Sequence, residues 1–518
     1  MTNWMMRTST TNLKTKFRMR FVIFFLFCNS AVFAHNAQLQ ELEKQIHRDF
    51  FYLNEPADEW LLNSESEDVL DVAIVGGGMA GMTAAFALQR EGIQKICLFD
   101  QNEAGREGPW VTCARMNYLR SGKAVLGPAC GFSNLTFRTW FEKTYCQEEW
   151  DTLNEIPTHI WHEYLCWYRK VLGLQVSNEV KLKKIRPSTG HLVLEFESSS
   201  IVTFVKAKKV IKTRKVILAT GREGSGGQLI PSFMEGVSKR FFAHTGECFC
   251  CNTFYEKDVV IIGAGASAFD AAAVAIESGA KKVQMLLRRH SLPLVNKFSH
   301  FNFPGIAHGF FALKDKSRCD LLKVALQAGI PPPKASYERV SRSKNFTIHY
   351  QVDVHKVEEK DDKVILHTSQ GDFSADFIVL GTGYEVDPSK REELIDFKDL
   401  ILFWKDRLCP EMEKDFFIKH SEMAFFPFLG PHFQYIEKEK GSAPFLKDIY
   451  CFNYGAFLSH GVISGDISSI GIGAARLARG VASDFFGEDL TLYQEMIETY
   501  DYQLFNPCLT PTCNHENH

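Results

Sequence analysis

The sequence predicts an α/β protein of two Rossmann-like, doubly wound domains, the first interrupted by the second. Three observations predict it. Two segments, DVAIVGGGMAGMTAAFALQREGIQKICLFD (Asp71–Asp100) and DVVIIGAGASAFDAAAVAIESGAKKVQMLLRR (Asp258–Arg289), each read as apolar strand, glycine turn, Ala-rich helix and second strand. A charged, hairpin-like stretch follows each of them, at Leu192–Arg214 and Tyr350–Ala375. Each hairpin then leads into an apolar strand with a Thr-Gly turn, VILATGREG (Val216–Gly224) and FIVLGTGYEVD (Phe377–Asp387). The same order of parts, once per unit, predicts one domain over residues 67–240 and 373–490, with a second at 250–370 nested inside it.

Ahead of the first unit, Lys14, Lys16, Arg18 and Arg20 precede FVIFFLFCNSAVFA (Phe21–Ala34). A basic stretch, a short apolar core and small residues at Val32 and Ala34 predict a signal peptide over 1–34. With Asn29 and Ser30 inside it, the run is too short for an ordinary transmembrane helix, so no stable span is expected after signal removal. Residues 35–66 read as a helical extension, amphipathic over Gln38–Leu53. An exported or membrane-associated enzyme is the reading. The scattered cysteines beyond Ala34, without a disulfide framework, keep a cytoplasmic alternative open.

In the first unit Gly76, Gly78 and Gly81 take the G-x-G-x-x-G positions. Gly76 permits the sharp turn, Gly78 leaves room for a pyrophosphate, and Gly81 lets helix and strand pack closely. Met79 and Ala80 open the helix whose free N–H groups face the phosphates. The next strand ends in Asp100, a carboxylate placed for the ribose hydroxyls of FAD.

The second unit differs twice. Its third glycine is replaced, giving Gly263, Gly265 and then Ser267-Ala268, and its second strand ends in Arg288-Arg289 rather than an acid. A carboxylate there would repel a 2′-phosphate, whereas a guanidinium grips it with charge-assisted hydrogen bonds. The cofactor expected on this unit is NADPH. Two dinucleotide units of opposite terminal charge predict a flavin fed by a nicotinamide.

With these residues the chain resembles the class B flavoprotein monooxygenases, the flavin-containing and N-hydroxylating enzymes, from roughly Asp71 to Gly480. Gly108-Pro109-Trp110 is similar to the family's G-G-x-W segment near the flavin ring, which adds Trp110 and the Thr-Gly turn at Gly221 to the FAD set. Asn453–Ala478 (NYGAFLSHGVISGDISSIGIGAARLA) is similar to its C-terminal flavin-contacting segment, with Gly465 and Asp466 ahead of a helix. His244 stands where the family's identifying sequence has its histidine, although FMEGVSKRFFAHT departs from the family's F-x-G spacing. The resemblance implies FAD and NADPH as cofactors. It also implies a C4a-hydroperoxyflavin that oxygenates a small N-, S- or carbonyl-containing substrate with O2. No side chain is demanded as a nucleophile. Asn117, Arg120 and His244 are the catalytic candidates, with Trp110 and Lys123 as further positioning residues.

Two rivals stay open. Cys248 and Cys251 form a C-x-x-C pair ahead of the second unit, as in a thioredoxin-reductase-like disulfide reductase. A non-catalytic nucleotide-binding redox sensor would carry the same turns. A net charge of −3 argues against nucleic-acid binding. The Phe298–Phe311 run reads as an aromatic loop or lid rather than a regular helix. In the tail, 491–518, Cys508, Cys513, His515 and His518 are read as part of a mobile end, and no metal is expected. Substrate identity and oligomeric state do not follow from the residues.

Overall fold

The computed structural model describes residues 37–62, 68–198, 208–249, 251–301, 303–407 and 421–502. The expected signal peptide and the Cys/His cluster of the tail lie outside the described residues. A helix spans residues 37–53 and buries Leu42 and Ile46 against the first domain, as its amphipathic pattern requires.

The first sheet is built around Val69–Val75, which pairs in parallel with Ile96–Phe99 on one side and Lys208–Leu218 on the other. Val176–Ser177 extends one edge in parallel. Lys208–Leu218 is shared: its early residues pair antiparallel with His191–Ser198, while Val216–Leu218 pairs in parallel with Ile449–Cys451. The hairpin partner Val180–Ser188 closes the other edge. Val72–Val75 is buried throughout because layers cover both faces, which is why it reads as a continuous apolar run. The helix Met79–Arg90 buries its small residues Gly81, Ala84, Ala85 and Ala87, so the C-terminal helix Ile470–Glu488 packs closely beside it.

The second sheet is wholly parallel, in the order Phe242–His244, Phe377–Leu380, Asp258–Ile262, Lys282–Leu286, Phe346–His349. Phe377–Leu380, expected at the start of the second FAD segment, is thus a central strand of the nested domain, and Phe242–His244 is its edge. Both are apolar and short, and the sheet needs them on the side of Asp258–Ile262 that Lys282–Leu286 leaves open. The charged stretch before Phe377 forms an antiparallel meander, Val354–Lys360, Lys363–Thr368 and Gly371–Ala375. The chain crosses between domains along an antiparallel pair, Gly226–Gln228 with Tyr384–Val386.

A third cluster packs Phe310, Leu322, Trp404, Phe426 and Phe457 between the domains. It corrects the reading of the Phe298–Phe311 run as a loop. Short turns of helix, Lys297–Phe301, Pro304–Gly309 and Phe310–Ala312, run through it. Pro304 at the first helical position starts the middle turn, and Phe310, 2% exposed, anchors the segment in the core. Among the described residues no helix is long and apolar enough to cross a membrane.

Candidate functional site

Both glycine turns lie at the carboxyl ends of their parallel strands, where open α/β sheets take ligands. In the first, Gly76 has φ +109° and a Cβ there would stand 2.3 Å from the Ala219 carbonyl oxygen. Gly78 caps the helix Met79–Arg90 in an extended conformation with no side-chain cap, and no acid occupies the first turn. A Cβ on Gly78 would meet nothing nearer than Gly108 Cα at 3.5 Å. In the second turn Gly263 has φ +107°, and a Cβ on Gly265 would find nothing within 4 Å. Each helix therefore has an uncapped N-terminus, bordered only by the Gly108 backbone at Gly78 and open at Gly265, which fits a diphosphate at both.

Asp100 is 6% exposed and buttresses the first turn, accepting from Gly77 N at 2.8 Å and Asn102 N at 2.8 Å. Its burial raises the carboxyl's pKa against those two donors. Arg288 and Arg289 follow Lys282–Leu286, both exposed, and neither forms an ion pair with a described residue. Ser267 is exposed on the first turn of its helix, while Ala268 is fully buried. Gly221 (φ +67°) and Gly465 both border open space. Asp466, exposed, accepts from Ser468 N at 3.0 Å just ahead of Ile470–Glu488. Trp110 is half-buried and meets Trp161 edge to face at 6.2 Å.

The three catalytic candidates are placed differently. Asn117 is exposed, and its carbonyl accepts from Thr158 N at 3.0 Å. Arg120 reaches across the domains to Asp270, a 2% exposed acid on the second Rossmann helix, at 3.3 Å. Ser336 donates to the same carboxylate at 2.5 Å. His244 is fully buried, with Nε2 on the Gly383 carbonyl at 2.8 Å and Nδ1 accepting from Gly246 N at 3.0 Å. Burial keeps it neutral by lowering its pKa, and both ring nitrogens are used in shaping the crossing segment. Lys123 donates to the Trp150 carbonyl at 2.7 Å.

Residues the sequence reading passed over complete the crevice between the domains. Arg115 donates to Thr245 O at 2.7 Å and to Glu247 O, and stacks over Phe249 at 3.5 Å, so it pins the two domains together. Tyr384 lies in the electrostatic field of Cys113, Glu223, Arg222 and Arg115, and burial pushes its phenol up to about 12. Arg222, exposed, stands 4.5 Å over the Tyr454 ring. Their one signal was position: Arg222 and Tyr384 each directly follow a Thr-Gly turn. Cys248 is a free, exposed thiol. Among the described residues no group of three or more His, Cys, Asp or Glu is placed to hold a metal ion. A cavity of about 440 Å³ opens beside Cys130, His308, His432 and Arg476, and none of its lining residues belongs to either glycine turn.

The family described as pyridine nucleotide-disulphide oxidoreductase matches residues 70–300. FAD-dependent urate hydroxylase of Xanthomonas campestris pv. campestris is 33% identical over 466 residues, 89% of this chain and 95% of that protein. The chain belongs to the same family of flavoprotein monooxygenases as that urate hydroxylase. These are oxidoreductases of FAD and NADPH, and the two open turns fit that pair. The fold is shared with ornithine hydroxylase from Pseudomonas aeruginosa (TM-score 0.62, 16% identity, 80% of this chain and 99% of that one). It is shared too with L-lysine 6-monooxygenase from Pseudomonas syringae (TM-score 0.59, 16% identity, 80% and 99%). At these identities the two neighbours speak for the class B architecture alone.

Proposed function

We propose that this chain is an NADPH-fed, FAD-dependent hydroxylase of urate or a closely similar planar, anionic purine. One atom of O2 enters the substrate, the other leaves as water, and NADPH supplies two electrons. The observation that carries the reading is the span of the resemblance to the Xanthomonas urate hydroxylase, which includes both glycine turns and the segments between them. Bound FAD supplies the redox and oxygen chemistry. The protein's own share is placement. The turns at Gly76–Gly81 and Gly263–Ala268 hold the two diphosphates, Asp100 stiffens the first, and Arg288 selects the 2′-phosphate on the second. Arg115 and Arg120 hold the domains at a fixed spacing, and neutral His244 braces the segment that crosses between them.

The test is an NADPH-oxidation screen over urate, ornithine, lysine, sulfides, ketones and disulfides, with peroxide release measured alongside. Urate should accelerate NADPH loss and lose its own ultraviolet band in step, with little peroxide. Anaerobic reduction should take two electrons per flavin. Four electrons, with turnover of a disulfide, would overturn the proposal in favour of Cys248 chemistry.

A further inference from the structure

Resting on the urate reading above, we propose that Arg222, seated on the Tyr454 ring, is the group that recognises the substrate's planar anion. The placement comes from the sheet. Lys208–Leu218 and Ile449–Cys451 are parallel neighbours, so the turns that follow them emerge side by side at the ligand-binding edge. Asn453 Nδ2 donates to Thr220 Oγ1 at 3.1 Å and ties those two turns together one residue before Tyr454 and two before Arg222. Tyr454 is itself held at its back by Phe457, stacked at 5.4 Å, and by Phe426 at 5.9 Å.

The charges leave Arg222 for a ligand. It forms no ion pair with a described carboxylate, and its guanidinium lies 4.5 Å over the Tyr454 ring. Arg120, whose guanidinium lies in the field of Arg222, is committed at 3.3 Å to Asp270. The carboxylate next in sequence, Glu223, is in the field of Arg391 and Lys181. With Asp270 committed to Arg120 at 3.3 Å and Arg339 at 3.9 Å, the Arg222 guanidinium is left with its charge uncompensated beside a flat aromatic surface. A planar guanidinium presents paired donors to an oxygen–nitrogen edge, and stacking on tyrosine fixes its plane. The Tyr384 ring packs against His244 at 5.4 Å with its hydroxyl beside Gly246, and the phenol lies in the field of Arg222. A flat, anionic heterocycle with carbonyl oxygens on its rim matches that set. The ammonium of an amino-acid substrate does not.

The experiment uses the flavin-loaded full chain and measures urate KM, urate Kd by equilibrium titration, NADPH KM and flavin content for wild type, Arg222→Met, Arg222→Lys and Tyr454→Leu. Loss of charge-assisted donors should raise both urate constants about 10- to 100-fold in Arg222→Met. Arg222→Lys should fall between, because it keeps the charge and loses the fork. Tyr454→Leu should weaken urate by a smaller factor. Wild-type urate constants in Arg222→Met overturn the proposal, as does a loss that falls on NADPH KM or on flavin content instead. Binding separates this inference from the reaction. Urate bound through Arg222 but not oxygenated would refute the hydroxylase and keep the recognition site. Urate oxygenated equally by Arg222→Met would do the reverse, and no binding by wild type refutes both.

Discussion

At the first glycine turn a Cβ on Gly81 would lie 1.8 Å from the carbonyl oxygen of Gly76. At the matching place in the second turn, Ala268 carries its Cβ and is fully buried. The difference is absorbed opposite the helix. Gly381 stands there, and a Cβ added to Gly381 would come within 2.5 Å of the one on Ala268. At the corresponding point of the first unit the chain has Ala219 instead, whose carbonyl presses on Gly76. The third glycine of the fingerprint is therefore a matter of helix–strand approach, and the second, Gly78 or Gly265, is the one that leaves space for a ligand. A degenerate third position thus leaves the close approach of helix and strand in the second unit intact, because Gly381 makes room for the Ala268 methyl.

That contrast gives the largest expected effect. Gly81→Ala forces a methyl into a backbone carbonyl and should destabilise the protein by roughly 3 kcal/mol or more, the upper end of overpacking. Ala268→Gly removes one methyl from a tolerant site and should cost about 1 kcal/mol, chiefly helix propensity. Thermal melts with flavin absorbance check both. Gly81→Ala should purify pale or not at all, Ala268→Gly yellow. Equal melting temperatures for the two would refute the packing account. Gly78→Val sharpens it from the ligand side, since its branched side chain would stand against the Gly108 backbone at the helix N-terminus, where the diphosphate is expected. That variant should be folded and colourless.

The ends of the second strands form the next contrast, Asp100 against Arg288. Asp100 is buried and bonded to its own turn, whereas Arg288 is exposed and has no carboxylate partner among the described residues. Arg288→Glu should raise the KM for NADPH about 10- to 100-fold, a lost charge-assisted contact plus repulsion, and leave NADH within a few-fold. Equal rises for both nucleotides would remove the 2′-phosphate assignment.

Much of this was legible because it is local. Strand, turn, helix and strand follow one another within each unit, so Gly76, Gly78, Asp100, Gly263, Gly265 and Arg288 declare themselves by spacing. Phe377–Leu380 did not. Nothing within the strand says which sheet it joins, and its pairing with Asp258–Ile262 bridges more than a hundred residues. Arg120 shows the same limit: it stood out as a cation among aromatics, and its partner Asp270 lies on the other domain's helix. Arg222 and Tyr454 meet only because two strands distant in sequence are neighbours. The aromatic run near Phe310 was misread since glycine and proline suggested a loop, while burial of Phe310 organises it into short helical turns.

The smallest effect concerns the first strands of the two units, Val69–Val75 and Asp258–Ile262, which each carry an aspartate early on, Asp71 and Asp258. Asp258 sits near the surface with Lys363 at 3.4 Å. Asp71 is 1% exposed, its Oδ2 has no hydrogen-bond partner, and burial, only partly offset by Arg214, raises its pKa to about 6. A carboxyl with a raised native pKa keeps its proton where the unfolded chain has lost it. Stability is therefore unaffected below about pH 4, declines as the pH rises toward 6, and stays at the lower level above that. Asp71→Asn removes the titration, and should stabilise the protein at pH 7.5 by roughly 1–3 kcal/mol, with no gain at pH 4. Asp258→Asn loses only a half-exposed ion pair and should cost about 1 kcal/mol or less at any pH above 5. Denaturant midpoints for both variants at the two pH values decide the matter. A gain for Asp71→Asn that is the same at pH 4 as at pH 7.5 would mean that packing, and not the buried charge, sets the difference between the two strands.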